Sequence, residues 1–489
     1  MANLNFEFPE TSSIDGRIWN STYITGLEGI PWRCFHQLTG DQFSIRRNIE
    51  ESGKLNITWP TKSAGNLCLT TTSLRLSDSP YNLVVELARG TVFRLKNQTE
   101  EWQRAGLKLS DNFLQLANRA LNTFLSSLAA KSPEEKNSLA QQSIDASIEA
   151  IIQLCETYSL QALEVRKQNE GTLATLSGAH LAADFDPSTA TAALDRAFNL
   201  ISVPADLAIV EGNSGRREFG AIDNQIEWSI QRGKRVCVGP LANFRSGGLP
   251  KWMVLLERDF DNIRRIACQH VQSIVQRYRG RVHIWNCAAG LNLPSEMDWN
   301  DEDVLRMAVS LIETVRNADE RTPVLLTIDQ PWSEFLRNQE NGISPIHFAD
   351  ALIRADLGLS GIALDLNFCQ FPQGSLPRDP VEISRLIDRW AMLGLPLLVS
   401  LTTATDVQAT TSYEDHVNTW QTHVRATGIV RPETLLPLIF AKPSVHAVIW
   451  NQLTQTANQT HPVTGLWDNS GKAKPVLQQL VRLRTNFLY

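Results

Sequence analysis

Short apolar runs alternate with turn residues over the first 78 residues of the chain. Three of these runs are FSIRRNI (43–49), KLNITWP (54–60) and NLCLTTTSLRL (66–76), and Gly, Ser, Asn and Asp separate them at short intervals. Alternating runs between closely spaced turns are typical of antiparallel strands. Residues 1–78 are therefore predicted to form a small β-sandwich-like domain. Its tryptophans, Trp19, Trp32 and Trp59, either belong to the core of this domain or form a ligand-binding face.

Residues 79–170 have the spacing of amphipathic helices instead. The first helix is predicted to open at Ser79-Pro80, where an N-cap precedes a proline in the first turn. A second helix opens at Ser110, and a third opens at Ser132 in the capping box Ser-Pro-Glu-Glu. We interpret this region as a helical connector or bundle. The predicted apolar face of the second helix consists of Leu114, Ala117, Leu121, Phe124 and Leu128.

From residue 171 to residue 489, short β-rich runs alternate with amphipathic helices. Candidate strands lie in LATLSGA (173–179), ADLAIV (205–210), KRVCVG (234–239), RVHIWNC (281–287), TPVLLTI (322–328), LSGIALDL (359–366), PLLVSL (396–401) and VHAVIW (445–450). The predicted helices include 224–232, 260–278, 303–317, 380–393 and 432–441. This alternation favours an α/β fold, a closed (β/α)8 TIM barrel. The alternative is a doubly wound sheet. It needs a phosphate-binding loop, and the nearest glycine–lysine pattern, 465–472, has the wrong spacing.

Composition narrows the classes of function. The chain has 489 residues, 43% hydrophobic residues and a net charge of -6, and no basic block with interleaved aromatics occurs, so nucleic-acid binding is not expected. The seven cysteines are scattered and never form a C-x-x-C pair, which predicts reduced, mostly buried thiols. No apolar run reaches membrane-spanning length, and the N-terminal residues lack an apolar signal segment. We therefore expect a cytoplasmic protein without a membrane partner.

Motifs for metal or serine-nucleophile chemistry are missing from the sequence. The nine histidines show neither H-x-x-x-H nor H-E-x-x-H spacing. No G-x-S-x-G elbow is present. Cys287, on predicted strand four, is interpreted as a buried inert thiol. Neither a metal nor a cofactor is predicted.

Five segments of the C-terminal region carry a resemblance to one enzyme family. They are FGAIDNQIEW (219–228), RVCVGPL with the following LPKW (235–252), YRGRVHIWN (278–286), GIALDLN (361–367) and HPVTGLWDNSGKAKPVLQQL (461–480). In this order and spacing, residues 171–489 resemble glycoside hydrolase family 10, the endo-1,4-β-xylanase-type barrel. The resemblance implies a (β/α)8 fold and a carbohydrate ligand. Residues 1–170 lie outside it.

The sequence departs from the family at the catalytic positions. Retaining glycosidases use two carboxyl groups about 5–5.5 Å apart as nucleophile and acid/base, and family 10 carries them at the ends of strands four and seven. The first position matches Gly290, and the second matches Leu401 in VSLTT (399–403). Both glutamates are thus absent, and the sugar-contacting histidine of strand six matches Asn367. We therefore expect a carbohydrate-recognising barrel that is catalytically degenerate.

Other acids remain at predicted strand ends, where barrel enzymes carry their chemistry. Asp329 ends strand five, Asp365 ends strand six, and Glu296 lies in the loop after strand four. A pair of these residues would supply the acid and the nucleophile of an active glycoside hydrolase with relocated carboxylates, which is the alternative function. Asp184 and Asp186, after strand one, either line the cup of the barrel or cap a loop.

Candidate sugar contacts come from tryptophans and amides near strand ends. Flat indole faces suit pyranose rings, and the chain has 13 tryptophans, although core packing is the alternative role for each. A third hypothesis is a scaffold or assembly protein, in which the tryptophans and the helical region would serve protein contacts; the oligomeric state is left open. The candidate substrate-binding residues are Trp332, Trp467, Trp299, Asn367 and Asn292.

Overall fold

The N-terminal part of the chain consists of two four-stranded sheets. The computed structural model describes residues 2–8, 19, 21–39, 42–187, 192–254, 256, 259–294, 297, 299–340, 342–369, 373–405, 431–453, 464–468 and 470–489. The strands are β1 (Ala2–Glu7), β2 (Tyr23–Thr25), β3 (Pro31–Trp32), β4 (Cys34–Thr39), β5 (Gln42–Arg47), β6 (Lys54–Thr61), β7 (Gly65–Thr70) and β8 (Tyr81–Asn82). Their orders are β4-β5-β1-β8 and β3-β2-β6-β7. Trp19 and Trp59 are each 3% exposed, so both belong to the core and not to a ligand-binding face.

Three helices follow the sheets. They are α1 (Leu83–Arg104), α2 (Asp111–Ala129) and α3 (Pro133–Glu170). The caps predicted at Ser110 and Ser132 are confirmed, because each side chain accepts a hydrogen bond from a backbone N–H of the first turn. The predicted start at Ser79-Pro80 is wrong. Tyr81 and Asn82 pair with β1 as a strand, and the Asn82 side chain caps α1 instead.

The predicted apolar face of α2 is only partly buried. Of its residues, Phe124 is buried, whereas Leu114 is 38% exposed and Leu128 is 42% exposed; the buried Ala120 lies outside the predicted face. The Ser143 hydroxyl of α3 donates a 2.8 Å hydrogen bond to the carbonyl of Ala120. The side of α2 that is buried therefore carries Phe113, Ala120, Phe124 and Ser127, which a hydrophobic pattern alone does not distinguish.

The remainder of the chain is a closed barrel of eight parallel strands surrounded by helices. This region contains these eight strands and two short additional ones. They are β9 (Leu176–His180), β10 (Leu200–Val203), β11 (Arg235–Val238), β12 (Ala242–Asn243), β13 (Ile284–Asn286), β14 (Ala288–Ala289), β15 (Val324–Asp329), β16 (Gly361–Asn367), β17 (Leu397–Thr402) and β18 (Val445–Trp450). The barrel order is β10-β11-β13-β15-β16-β17-β18-β9, while β12 and β14 pair with each other beyond it. The predicted (β/α)8 fold is therefore confirmed.

The helices of this region surround the barrel, except that the short helix Leu207–Val210 lies at the mouth, where Ala208 and Ile209 line the cavity described below. The helices are α4 (Ala192–Ala197), α5 (Leu207–Val210), α6 (Gly220–Gln231), α7 (Lys251–Val254), α8 (Phe260–Tyr278), α9 (Asp301–Ala318), α10 (Pro345–Arg354), α11 (Pro380–Ala391), α12 (Pro432–Ala441) and α13 (Pro475–Phe487), with a short 3-10 helix at Glu334–Asn338. None of the helices in the described parts of the chain is both long and apolar enough to cross a membrane.

The second barrel strand lies earlier in the chain than predicted. The strand is Leu200–Val203, and most of the predicted segment 205–210 forms the short helix α5. Asp206 caps this helix by accepting a 3.1 Å hydrogen bond from the backbone N–H of Ile209. Short apolar runs carry no period that separates a buried strand from a buried helical turn, which is why the sequence pattern was ambiguous here.

A buried polar cluster joins the N-terminal sheets to the barrel. Arg378, in the segment between β16 and α11, donates to the Tyr23 hydroxyl and lies 3.0 Å from Oε1 of Glu334. The side chains of Arg378 and Glu334 are 2% and 0% exposed. Glu334 follows the C-terminal end of β15, and Arg378 follows the C-terminal end of β16. The N-terminal sheets therefore contact the rim of the barrel mouth.

Candidate functional site

The C-terminal ends of the barrel strands enclose a cavity of about 860 Å³, called the cup below. Every second side chain of a barrel strand faces the interior. Leu325, Ala363, Leu398 and Ile449 form an apolar floor. The next inward positions carry hydroxyl and amide groups. These polar lining residues are Ser202, Asn286, Thr327, Asn367, Ser400, Thr402 and Asn451.

Two of the predicted acids, Asp329 and Asp365, face the cup and share one arginine. They are register partners on the neighbouring strands β15 and β16. The Nε of Arg245 donates to Oδ1 of Asp329 at 2.5 Å, and its Nη2 lies 3.2 Å from Oδ2 of Asp365. The two carboxylate side chains are 3% and 9% exposed, whereas the arginine side chain is 35% exposed. The structure therefore brings the two acids together around a cation of the chain itself.

The environment of these groups changes their proton affinities. Burial raises the pKa of Asp365 to about 6, and the neighbouring charge of Asp329 adds to this effect, while Arg245 opposes it. Burial disfavours the charge of Arg245, but the attraction of Asp329 and Asp365 outweighs it and raises the pKa of the guanidinium. Burial and the charge of Arg245 lower the pKa of His180 to about 4, so this histidine is neutral at pH 7.

Gly290, which the sequence analysis matched to the first of the family's two catalytic positions, has no room for a side chain. Its φ is 80°, a conformation that favours glycine, and an added Cβ would lie 2.4 Å from the backbone nitrogen of Arg245. Its own N–H donates a 2.8 Å hydrogen bond to Oδ2 of Asp329. Pairing of β12 with β14 brings the loop after strand three against Gly290. This loop thus fills the space beside Gly290 and delivers Arg245 to the cup.

Leu401, which the sequence analysis matched to the second catalytic position, does not line the cup. It is fully buried in the apolar core, whereas its neighbours Ser400 and Thr402 face the cavity. Alternation along β17 accounts for this, since residues one apart point to opposite faces. The residues of β17 are LLVSLT, so no carboxylate of this strand reaches the cup.

Asn451 links three side chains of the cup wall by hydrogen bonds, and it was not among the predicted residues. Its Oδ1 accepts a 2.5 Å hydrogen bond from the Ser400 hydroxyl. Its Nδ2 donates to Oγ1 of Thr402 at 2.9 Å and to Oδ1 of Asp365 at 3.2 Å. The signal in the sequence was a polar residue directly after a predicted strand, here VHAVIW. Arg245 was also missed, because it lies several residues beyond strand three and only tertiary pairing brings it inward.

The three tryptophans predicted as sugar contacts lie outside the cup lining. Trp332 packs beside Phe368 and under the guanidinium of Arg378, 4.7 Å from its ring centre. Trp299 and Trp467 also pack against the apolar core. These three indoles therefore pack against other side chains of the protein, although their positions in predicted loops favoured exposure to solvent.

The predicted amides and the third acid have different positions. Asn367 lines the cup. Asn292 is buried and does not line it, because its side chain donates to the carbonyl of Asp329 and accepts from the backbone N–H of the same residue, at 2.7 and 2.9 Å. Asn292 thus holds the backbone that carries Asp329. Glu296 lies outside the described residues.

The sequence matches no protein-family model, and no curated protein matches it. Among solved structures, the chain is similar to a GH10 protein from Paenibacillus barcinonensis, with 17% identity, coverage of 67% of this chain and 98% of the other, and a TM-score of 0.46. It is also similar to xylanase 10B from Thermotoga petrophila in complex with xylobiose, at 13% identity, 66% and 97% coverage and a TM-score of 0.46.

A further similar structure is xylanase 10B from Thermotoga maritima, at 11% identity, 67% and 97% coverage and a TM-score of 0.46. At these identities the likeness is one of fold. The chain is a (β/α)8-barrel protein, as its strand pairing shows. The first of these solved structures is described as a GH10 protein, and the other two are described as xylanases.

Proposed function

We propose that this protein binds a carbohydrate in the cup and does not hydrolyse it with the family's two glutamates. The observation that carries the proposal is the ring of neutral hydroxyl and amide side chains above the apolar floor. Sugars present closely spaced hydroxyl groups that both donate and accept hydrogen bonds, and Ser, Thr and Asn side chains do the same. The resemblance of residues 171–489 to family 10 points to the same class of ligand.

Loss of hydrolysis is supported by three positions. Gly290 has no space for a glutamate, and β17 directs Ser400 and Thr402 to the cup. Asp329 accepts hydrogen bonds from Arg245 and from the backbone N–H of Gly290. Each oxygen of this carboxylate is therefore already engaged by a donor of the chain itself.

Isothermal titration calorimetry with xylo-oligosaccharides and other β-linked oligosaccharides tests this proposal. We expect saturable heat with at least one of them. Thr402→Val removes a cup hydroxyl at nearly constant shape, and we expect it to weaken binding about 5- to 30-fold. Thr314→Val, on the outer helix α9, is the matched control and should bind like the wild type. An absence of heat across a broad glycan panel would exclude carbohydrate as the ligand.

One observation favours a second candidate, an active glycoside hydrolase. The pKa of Asp365 is raised to about 6 beside Asp329, and a protonated acid next to an ionised carboxylate is the arrangement that glycosidases use. Asp365 would be the acid and Asp329 the nucleophile. This candidate predicts turnover of an aryl β-glycoside that Asp365→Asn and Asp329→Asn each abolish. Turnover that survives both substitutions would remove these residues from the mechanism.

A further inference from the structure

The cup carries more negative than positive charge. Its described lining includes five aspartates and one arginine, and His180 is neutral at pH 7. A cavity with low-dielectric walls and one sign of charge focuses its field on whatever enters it. The charged lining residues are Asp184, Asp186, Asp206, Asp329, Asp365 and Arg245.

The arginine is already engaged on one side of the cup. Arg245 pairs with Asp329 and Asp365, which lie on β15 and β16. This contact shows that the inner end of the cup accommodates a planar cation between two carboxylates. It also leaves the carboxylates on the opposite side, after β9 and β10, without that counter-charge at contact distance.

Asp206 and Asp184 form this opposite side. Asp206 is 5% exposed and accepts hydrogen bonds from the backbone N–H of Ile209 at 3.1 Å and from Nδ2 of Asn243 at 3.3 Å. Both donors are neutral, so they satisfy the oxygens but do not cancel the charge. Asp184 is exposed on the loop after β9. Among the described residues, the ion pairs of Arg245 are with Asp329 and Asp365 and not with Asp206 or Asp184. Burial raises the pKa of Asp206, and the hydrogen bonds from Asn243 and the backbone, together with the more distant charge of Arg245, oppose that rise.

We infer that the cup selects an amino sugar, whose protonated amine faces Asp206 and Asp184, over the neutral sugar of the same shape. The inference rests on the proposed carbohydrate binding and adds the charge of the ligand. The cavity supplies the space, the hydroxyl and amide ring contacts the sugar hydroxyls, and the two carboxylates supply the counter-charge for an ammonium group. A sugar acid would meet like charge on the same wall and bind more weakly than either.

The experiment compares three ligands on the full chain at pH 6, where the sugar amine is protonated. The ligands are the β-1,4-linked glucosamine dimer, cellobiose, and a dimer that contains a uronic acid. We expect the glucosamine dimer to bind about tenfold more tightly than cellobiose at low salt, and the ratio to fall at high salt. The uronic acid dimer should bind most weakly.

Two substitutions test whether Asp206 and Asp184 cause the preference for the amino sugar. Asp206→Asn keeps an acceptor that caps α5 and removes the charge, so we expect the affinity for the glucosamine dimer to fall more than the affinity for cellobiose and their ratio to fall towards one. Asp184→Asn, on an exposed loop, should lower the ratio without a risk to folding. Asp350→Asn is the matched control, because its carboxylate lies on the outer helix α10.

The outcomes separate the preference for an amino sugar from the proposed carbohydrate binding itself. Equal affinity for glucosamine dimer and cellobiose overturns the inference and leaves carbohydrate binding intact. A preference that persists in both Asp206→Asn and Asp184→Asn overturns the assignment to this wall. An absence of binding for all three ligands and for xylo-oligosaccharides overturns the inference together with the proposed function.

Discussion

The backbone N–H of Gly290 donates a 2.8 Å hydrogen bond to Oδ2 of Asp329, while Arg245 binds the other oxygen of the same carboxylate. Residues from the loops after strands three and four thus converge on an acid at the end of strand five. The arrangement engages both oxygens of Asp329 and leaves the side-chain position of residue 290 filled by backbone. The barrel mouth is consequently built around an ion-paired acid.

Substitution of Gly290 by alanine is expected to lower the free energy of unfolding by about 1–3 kcal/mol, because a side chain is strained at positive φ and would meet the backbone of Arg245. Urea denaturation measures the change. Gly220→Ala is the matched control, since an added Cβ there has nothing within 4 Å and the residue begins helix α6. Equal stability of both variants would contradict the steric argument.

Replacement of Arg245 by methionine should destabilise the protein by about 1–3 kcal/mol. It leaves Asp329 and Asp365 without their counter-charge, and the figure is below that of a fully buried pair because the arginine is 35% exposed. Arg354→Met breaks an exposed pair with Asp350 on α10 and should change stability by less than about 0.5 kcal/mol. Thermal or urea unfolding of the two variants compares them directly.

The raised pKa of Asp365 predicts a pH dependence of stability. An unfolded aspartate titrates near about 3.9, and in the folded chain the pKa of Asp365 is about 6. Between these values the folded state binds more protons than the unfolded state, so stability from this group is present below about pH 4 and is lost as pH rises through about 6.

Asp365→Asn lacks this titration. The unfolding free energy of the wild type minus that of the variant should therefore be larger at pH 4 than at pH 7, as measured by urea denaturation at both values. Asp350→Asn, whose carboxylate lies on the outer helix α10, provides the control series. A difference that stays constant across this window would show that the Asp365 pKa is the same in both states.

The cluster between the N-terminal sheets and the barrel rim should be sensitive to loss of its acid. Glu334→Gln leaves the guanidinium of Arg378 buried without its counter-charge, and we expect a loss of about 3–5 kcal/mol. Glu340→Gln is the matched control, because its side chain is 79% exposed in a pair with Arg33. Denaturant unfolding distinguishes them, and a neutral Glu334→Gln would mean that the cluster does not stabilise the joint.

Local chemistry explains which elements were predictable. The capping box at Ser132 and the N-cap at Ser110 act within one helical turn, so their sequence signals sufficed. The start of α1 was misplaced, because Tyr81 and Asn82 pair with Phe6 and Glu7, far away in the sequence. Propensity near Ser79 contains no information about that pairing.

The candidate site was predictable only in part, for the same reason. Asp329 and Asp365 were identified because an acid at the end of a barrel strand faces the mouth. Arg245 and Asn451 were not, since their contacts depend on how loops and neighbouring strands meet. None of the three predicted tryptophans lines the cup. Trp332, for example, packs against Arg378 and Phe368 instead.

The sequence by itself determined the closed barrel of alternating strands and helices and the absence of a glutamate at Gly290 and in β17. Periodicity and residue identity are local properties, so they can be seen in the sequence without knowing which residues contact each other. Only the tertiary structure decided that Leu401 faces the core, that backbone fills the space beside Gly290, and that Arg245 joins Asp329 to Asp365. These outcomes depend on strand register and loop packing, which join residues distant in the chain.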